Sequence, residues 1–574
     1  MTTDDASVHV LTRSFVSFVS FVSLRSLVSF VRANAMTSER KDISTCLRDF
    51  AQRDPSRLAV VSPTGRLTAG ELDRLADRCA AGLARAGIKP GMRTVLMVTP
   101  GLEFMVLTFG LVRAGAILVV VDPGMGWDNL KACLSEARPE AFVGITRAHI
   151  GRLLFGWARA TIRICVSVGS LRLPGWIPYE ALLQGPVTPE TTDLVDLDGT
   201  AAIVFTSGST GVPKGVVYTH RMFAAQVSLL RSHFGIEPGE VDLATFPLFA
   251  LFDAAWGVTS VFPRMDFTQP AAADPAEIID TINRSEVTHM FGSPALLNGL
   301  GRYGESRKVQ LPRVKRVLSA GAPVPDRVLA RIQNMLLPDS LVHTPYGATE
   351  ALPVCSISGR ERLAENSVGR GICIGRPLAG VGLAVIRITD EPIPEWSGDL
   401  QVPDGRIGEL LVWGDNVSRS YFERPEADRL AKIHDDKGQI RHRMGDVGFI
   451  DEQGRVWFCG RKSHRVVTEA GTLFTIPCES VFNQHPAVFR TALVGLGRSP
   501  RQRPVLCVEL EDKRHREGDG NLGEELRRLG AGSPQTALIK DILFHPGFPV
   551  DIRHNAKIFR EKLAVWAQTK VRDD

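Results

Sequence analysis

The sequence predicts an α/β protein: a large body of parallel sheets covered by helices, a β-rich region after it, and a small α+β unit at the C-terminal end. Three observations carry this expectation. Strand and helix patterns alternate at short spacing between residues 67 and 319, the signature of parallel sheets with crossover helices. A Gly/Ser/Thr-rich string follows a buried strand at 206–215, where an α/β sheet places its ligand loops. From about residue 380 the text changes to shorter strands separated by turns, such as GLAVIRITD and GELLVWG, which read as a small β-barrel or sheet. The chain has 574 residues, enough for three or four units at about 100–200 residues per domain.

The first 35 residues differ from the rest. SFVSFVSFV at 14–22 is a three-residue repeat, and residues 6–35 hold Arg13, Arg25 and Arg32 but no acidic side chain. Arg25 interrupts the apolar run too early for a membrane span of about 20 residues. The segment reads as translated upstream sequence, with Met36 as the working start, or as a targeting helix. Over the whole chain, 68 Lys and Arg face 63 Asp and Glu, a net charge of +5. That is too weak at this length to indicate nucleic acid or a membrane surface as partner. The nine cysteines are widely spaced with no C-x-x-C pair, which argues against a disulfide framework or zinc site and fits a reducing cytoplasm.

Taken in order, residues 67–88 carry helical spacing with Leu72, Leu75, Ala76, Cys79 and Leu83 on one face. An apolar strand follows at 94–98, then a helical stretch at 104–116 and a strand at 117–121 closed by Asp122-Pro123-Gly124. The alternation recurs at 200–205, 287–291 and 314–319. Two polar, turn-rich stretches, 389–406 and 511–535, are expected to be surface loops.

The strand at 200–205 runs into Thr206-Ser207-Gly208-Ser209-Thr210-Gly211-Val212-Pro213-Lys214-Gly215. Glycines let a backbone turn tightly and gather N–H groups into one concavity that suits phosphate oxygens. The hydroxyls add donors. A Lys214 ammonium about 4 Å from a phosphate contributes about 4 kcal/mol at an effective dielectric of 20. Pro213 stands where a Walker A loop has its second Gly, so that motif does not fit.

FTSGSTGVPKG resembles the nucleotide loop of the adenylate-forming superfamily, the AMP-dependent synthetases and ligases. Further strings match in that family's order: Ser319-Ala320-Gly321-Ala322-Pro323, Tyr346-Gly347-Ala348-Thr349-Glu350, Gly408-Glu409-Leu410, Met444-Gly445-Asp446, Gly460-Arg461-Lys462, and PVDIRHNAKIFR at 549–560. The resemblance covers about residues 43–566. It implies a large AMP-binding domain over 36–461 and a small mobile lid over 462–574 that carries the catalytic Lys557. It also implies ATP and Mg2+. Thr206, Ser207, Gly208, Ser209, Thr210, Gly211 and Lys214 would hold phosphates, Gly321, Ala322 and Pro323 would line the adenine pocket, and Tyr346 and Gly347 would lie against the base. Asp446 would accept the ribose hydroxyls, with Arg461 beside ribose and phosphate. Glu350, next to Thr349, would be the metal carboxylate. Joining a carboxylate to the α-phosphate brings two anions together, so positive charge and donors are needed where charge develops.

The departures are as informative. Ala250 stands in FPLFALFD where acyl-CoA synthetases carry a His, Thr475 replaces the basic residue of the CoA-using half-reaction, and the terminal motif reads Asn555-Ala556-Lys557. Adenylation residues are intact and thiolation residues are altered. FPLFALFD, HTPYGATEALPV and FPVDIRHNAKIFREKLA together resemble one subgroup, the bacterial olefin β-lactone synthetases (OleC-type). That resemblance implies a 2-alkyl-3-hydroxy fatty acid activated as its acyl-AMP and closed by its own hydroxyl to a β-lactone. It also implies work beside a thiolase, a reductase and an α/β-hydrolase. A long- or medium-chain acyl-CoA ligase is the alternative. Phe246, Phe249, Phe252, Trp256, Phe291 and Gly292 are the expected acyl pocket, core packing being the other explanation for the aromatics. His220, His464 and His554 are candidates for the hydroxyl's base. Asp253 offers a carboxylate that would mimic the amino-acid clamp of a peptide-synthetase adenylation domain.

Overall fold

The computed structural model describes residues 41–170, 172–187, 196–206, 213–511, 521–550 and 558–571. The expected start at Met36 and the segment before it lie outside the described residues. One compact unit runs from Asp42 to Asp574.

Its first helix, Ile43–Arg53, starts at Asp42, whose carboxylate accepts from the Ser44 and Thr45 amides. Such a cap satisfies N–H groups that have no intrahelical partner. The helix expected over 67–88 is Ala69–Arg85. It starts later because Leu67 and Thr68 end the short strand Gly65–Thr68. Thr68 and Glu71 form a capping box that fixes the boundary. Leu72, Ala76, Cys79 and Leu83 are fully buried on its inner face. The next helix, Leu102–Arg113, packs closely at Gly110, where a Cβ would come within 2.6 Å of Cys79 Sγ.

Two seven-stranded sheets form the body. One orders its strands Ile177–Pro178, Ile164–Val168, Ala141–Ile145, Arg93–Met97, Ile117–Val120, Thr200–Phe205 and Gly215–Thr219. All neighbours are parallel except the last pair. The other runs Leu341–His343, Arg316–Leu318, His289–Phe291, Val241–Leu243, Thr259–Val261, Leu58–Ser62 and Gly65–Thr68, again antiparallel only at the last pair. The phosphate loop, the Gly292-Ser293 turn and the Ser319–Pro323 stretch all follow the carboxyl ends of these strands. Loops there meet in one crevice, which is where open α/β sheets bind ligands.

The expected β-rich region is an eight-stranded antiparallel sheet that begins at Tyr346–Ala348 and includes Gly408–Trp413, Ile440–Ile450 and Val456–Arg461. The C-terminal unit pairs Val488–Leu496, Arg503–Leu510 and Asp541–Phe544, with helices Thr475–Phe482, Leu522–Ala531 and Arg560–Gln568.

Both expected surface loops need correction. In 389–406, Ile393 and Leu400 are buried, and the Thr389 and Glu391 carbonyls accept from the Arg443 guanidinium. In 511–535, the helix Leu522–Ala531 buries Leu526 against the C-terminal core. Charged residues dominate that stretch, so three leucines at helical spacing (522, 526 and 529) are easily overlooked.

Glu409 of the G-E-L string is 1% exposed and bonds both Arg443 (2.7 Å) and Lys462 (3.2 Å). Removing one partner of a buried ionic network leaves the others uncompensated, at about 3–5 kcal/mol. Glu409→Ala is therefore expected to lower unfolding free energy by about that amount in guanidinium titration. An unchanged midpoint would contradict this role.

Candidate active site

A cavity of 1840 Å³ opens where the three sheets meet. Pockets for drug-sized ligands are commonly about 300–1,000 Å³, so this one has room for a nucleotide and a second large group together. Among the residues expected from sequence, Thr206, Lys214, Gly321, Tyr346, Gly347, Thr349, Glu350, Arg461, Phe246, Phe249, Trp256 and Phe291 line it. Ala322, Pro323, Asp446, Phe252 and Gly292 do not appear on its wall. Ser207, Gly208, Ser209, Thr210, Gly211 and Lys557 lie outside the described residues, as do Asn555, Ala556 and His554.

The two ends of the phosphate loop are tied together. The Thr206 amide donates to the Lys214 carbonyl (3.0 Å) and the Lys214 amide donates to Thr206 Oγ1 (3.3 Å). Gly321 has φ +90°, a left-handed conformation that a side chain would strain.

Asp446 stands behind the wall, in contact with two residues that line it. The Tyr346 hydroxyl donates to its Oδ2 at 2.5 Å. The Arg461 guanidinium lies 3.0 Å from Oδ1, and no hydrogen bond reaches that oxygen. Asp446 and Arg461 sit opposite each other on paired strands, so the sheet register places the ion pair. Burial raises the Asp446 pKa, with Arg461 opposing it. Burial, and then Asp446, push the Tyr346 phenol well above its ordinary range, so it stays a donor. The Met444 side chain packs into the sheet's apolar core, where the family string has Thr.

Sequence reading missed Tyr421. Its hydroxyl donates to Glu350 Oε1 at 2.7 Å. Two ammonium groups approach its ring, Lys214 Nζ at 4.9 Å and Lys432 Nζ at 5.4 Å from the centroid. The segment around it adds to the edge of strand Gly215–Thr219: the Phe422 amide donates to Gly215 O (2.7 Å) and the Val217 amide to Ser420 O (3.1 Å). On the same strand, the Tyr218 hydroxyl donates to Thr349 O (2.6 Å). The signal was compositional: the chain has only five tyrosines, and Tyr218, Tyr346 and Tyr421 converge here. Glu350, with one carboxylate oxygen fixed by Tyr421, is a hard oxygen donor that suits Mg2+.

Elsewhere on the wall, Phe249 meets Phe246 and Phe291 at 5.1 and 5.0 Å between ring centroids. Phe252 turns instead into the core, against Trp256 and Phe223. Gly292 backs onto Leu297, whose Cδ2 would stand 2.5 Å from an added Cβ. Ala250 is fully buried. Asp253 is no open clamp: Ser260 Oγ donates to it at 2.6 Å. Of the candidate bases, His220 is buried at the start of helix His220–Phe234, and His464 pairs with Glu561 at 3.1 Å. Neither is on the cavity wall. The terminal lysine segment is held at both flanks, by the Val550–Ile558 bridge and by Arg560, which pairs with buried Glu479 at 2.5 Å.

Three meeting sheets, a tied phosphate loop and a Tyr–Arg pair anchored on the buried Asp446 mark an enzyme that works on a nucleotide. The chain belongs to the AMP-binding enzyme family, whose model matches residues 47–422. It is 47% identical over 546 residues to the olefin beta-lactone synthetase of Xanthomonas campestris, covering 92% of this chain and 97% of that protein. The olefin beta-lactone synthetase of Stenotrophomonas maltophilia is also 47% identical, over 92% of this chain and 98% of that one. Among solved structures, O-succinylbenzoate coenzyme A synthetase (MenE) of Bacillus subtilis, in complex with ATP and magnesium ion, superposes with TM-score 0.72. The match spans 90% of this chain and 98% of that one at 20% identity, and so supports the fold.

Lys432 gives this site a pH signature. Burial pushes its pKa from 10.5 down to about 8, Glu350 and Asp428 opposing the shift. Its ammonium donates to Ser418 O (2.6 Å) and Oγ (3.0 Å). Below pH 8 folded and unfolded chains both hold the proton, and the folded state carries the full cost of the buried charge. Between about 8 and 10.5 the folded state releases it first, so this group makes stability rise with pH, by up to about 3 kcal/mol. Lys432→Met is expected to remove that rise in denaturant titrations at pH 8 and 10. Parallel pH dependences in the two proteins would contradict it.

Proposed function

We propose that the protein uses ATP to activate the carboxylate of a 2-alkyl-3-hydroxy fatty acid as an acyl-adenylate, which the acid's own 3-hydroxyl then closes to a β-lactone with release of AMP. The observation that carries this reading is the 47% identity, over nearly the whole of both chains, to proteins named olefin beta-lactone synthetase. The cavity supports it physically. One wall carries cations and fixed donors, and the other an aromatic cluster. Because the nucleophile is tethered to the electrophile, closure gains from proximity and needs no second acceptor site. Thr475 and Ala250, where CoA-using relatives have basic and imidazole side chains, fit that economy.

In this reading Lys214 and the phosphate loop bind the triphosphate, Tyr346 packs on adenine, and Arg461, paired with Asp446 behind it, holds the ribose. Glu350, whose Oε1 accepts from Tyr421, would hold Mg2+, and that ion would supply neutralising charge for the phosphates. Lys557 bridges the acid and the α-phosphate. It rides on a lid that we place at 462–574, against a body at 36–461. The substrate is supplied by thiolase and reductase chemistry, and the lactone is consumed by an α/β-hydrolase. Among the described residues no helix is long and apolar enough to cross a membrane, and all nine cysteines are free. The location we propose is the cytoplasm.

The deciding assay supplies ATP, Mg2+ and a 2-alkyl-3-hydroxy acid without CoA and scores products by NMR. Lactone and AMP are expected. No lactone, with rapid thioester formation on adding CoA, would overturn the proposal in favour of an acyl-CoA ligase. Lys557→Ala is expected to abolish pyrophosphate release and leave ATP binding mostly intact. Normal turnover in that variant would refute its role.

A further inference from the structure

Ring closure must dispose of the hydroxyl proton. Neither His220 nor His464 reaches the cavity, but two other histidines do: His442, which packs against the Tyr421 ring, and His289, on the same strand as Phe291. His289 begins strand His289–Phe291, two residues before Phe291 and so on the same face of the sheet. It pairs in register with Asp242 on the neighbouring strand. Asp253 lies one turn beyond Phe249 on helix Pro247–Trp256. All three line the cavity. Each is at most 5% exposed, and their polar atoms lie within 4.8 Å of one another.

The donors and acceptors of this group do not balance. His289 Nδ1 is 3.2 Å from Glu240 Oε2. Burial raises the Glu240 pKa, but hydrogen bonds from His289 and Arg316 outweigh it and hold it at about 2; Lys315 adds a contact at 3.2 Å. An ionised carboxylate facing Nδ1 requires that nitrogen to carry the proton. In the neutral ring, Nε2 then presents a lone pair. It has no hydrogen-bond partner and stands 3.6 Å from Asp242 Oδ1. Asp242 is an acceptor too. Burial, then the Asp242 charge, raise the Asp253 pKa well above the carboxylate range, so one proton serves that pair and Asp253 holds it. With a single ring proton on Nδ1, Nε2 and Asp242 Oδ1 are both acceptors on the wall beside the aromatic cluster. A buried acceptor without a donor costs about 1–3 kcal/mol. A hydroxyl on the bound acid would supply the missing donor.

We propose that His289 Nε2 accepts the proton of the substrate's 3-hydroxyl during ring closure, with Glu240 as the positioning residue behind it. This rests on the lactone reading above. The hydroxyl oxygen bonds to the acyl carbon, the bond from that carbon to the phosphate oxygen breaks, AMP leaves with the electron pair, and the proton passes to Nε2. The resulting imidazolium sits between the Glu240 and Asp242 carboxylates. The logic is that of a carboxylate–histidine–hydroxyl triad, in which the substrate brings the hydroxyl.

The test separates activation from closure. ATP–pyrophosphate exchange is measured with a 2-alkyl acid that lacks the hydroxyl, and single-turnover lactone formation with the hydroxy acid. His289→Gln is expected to keep exchange within about threefold while slowing lactone formation at least about 100-fold, with acyl-AMP accumulating. Glu240→Gln is expected to lower the lactone rate about tenfold with KM for the hydroxy acid unchanged. In the unaltered protein the lactone step should show a solvent deuterium effect of about two, a measurement that needs no variant to fold. Lactone formation at the normal rate in His289→Gln, an equal fall in both reactions, a KM effect alone in Glu240→Gln, or no isotope effect would each overturn the assignment. So would a stoichiometric metal ion that is lost in His289→Gln. An unaltered protein that makes thioester and no lactone would instead sink the function reading itself.

Discussion

The hydrogen bond from Tyr421 to Glu350 joins the parts on which the rest of the site depends. Tyr421 belongs to a segment that pairs with the strand leaving the phosphate loop. Its ring is close to both the Lys214 and Lys432 ammonium groups. Its hydroxyl donates to the Glu350 carboxylate. One side chain therefore touches two cations and an anion that come from distant parts of the chain. A phenol suits the place because its face attracts cations and its edge donates a hydrogen bond.

The same constraint recurs along the seam. Tyr346 and Arg461 share Asp446, and Arg443 and Lys462 share Glu409. Charges removed from water are tolerated only when paired. Both groups tie together strands of the eight-stranded sheet. The electrostatic environment that two reacting anions need is thereby present before substrate arrives, so no reorganisation is required at the moment of reaction.

How much of this was legible in the sequence depended on the kind of signal. The parallel sheets were, because Thr200–Phe205 and Ile117–Val120 are apolar runs bounded by turn residues. The phosphate loop, Tyr346, Glu350 and Arg461 stood in short ordered strings and all reach one cavity, or, for most of the loop, lie outside the described residues. Long-range pairing was not legible. Tyr421 acts through a contact with Glu350, 71 positions away, and His289 through a strand register with Asp242. Phe252 packs against Phe249, Trp256 and Phe223 and off the cavity wall, the core explanation that the aromatics had left open. The helix Leu522–Ala531 was hidden by its charged outer face.

The most direct measurement of the central claim follows the oxygen atoms. The acid is prepared with both carboxylate oxygens replaced by the heavy isotope and turned over with ATP and Mg2+ in the absence of CoA. If the carboxylate is activated as an adenylate and captured by its own hydroxyl, each AMP gains one heavy oxygen. The lactone then keeps one, in its carbonyl, while the ring oxygen is unlabelled. AMP without label, or heavy oxygen in the lactone ring, would contradict activation at this site followed by closure.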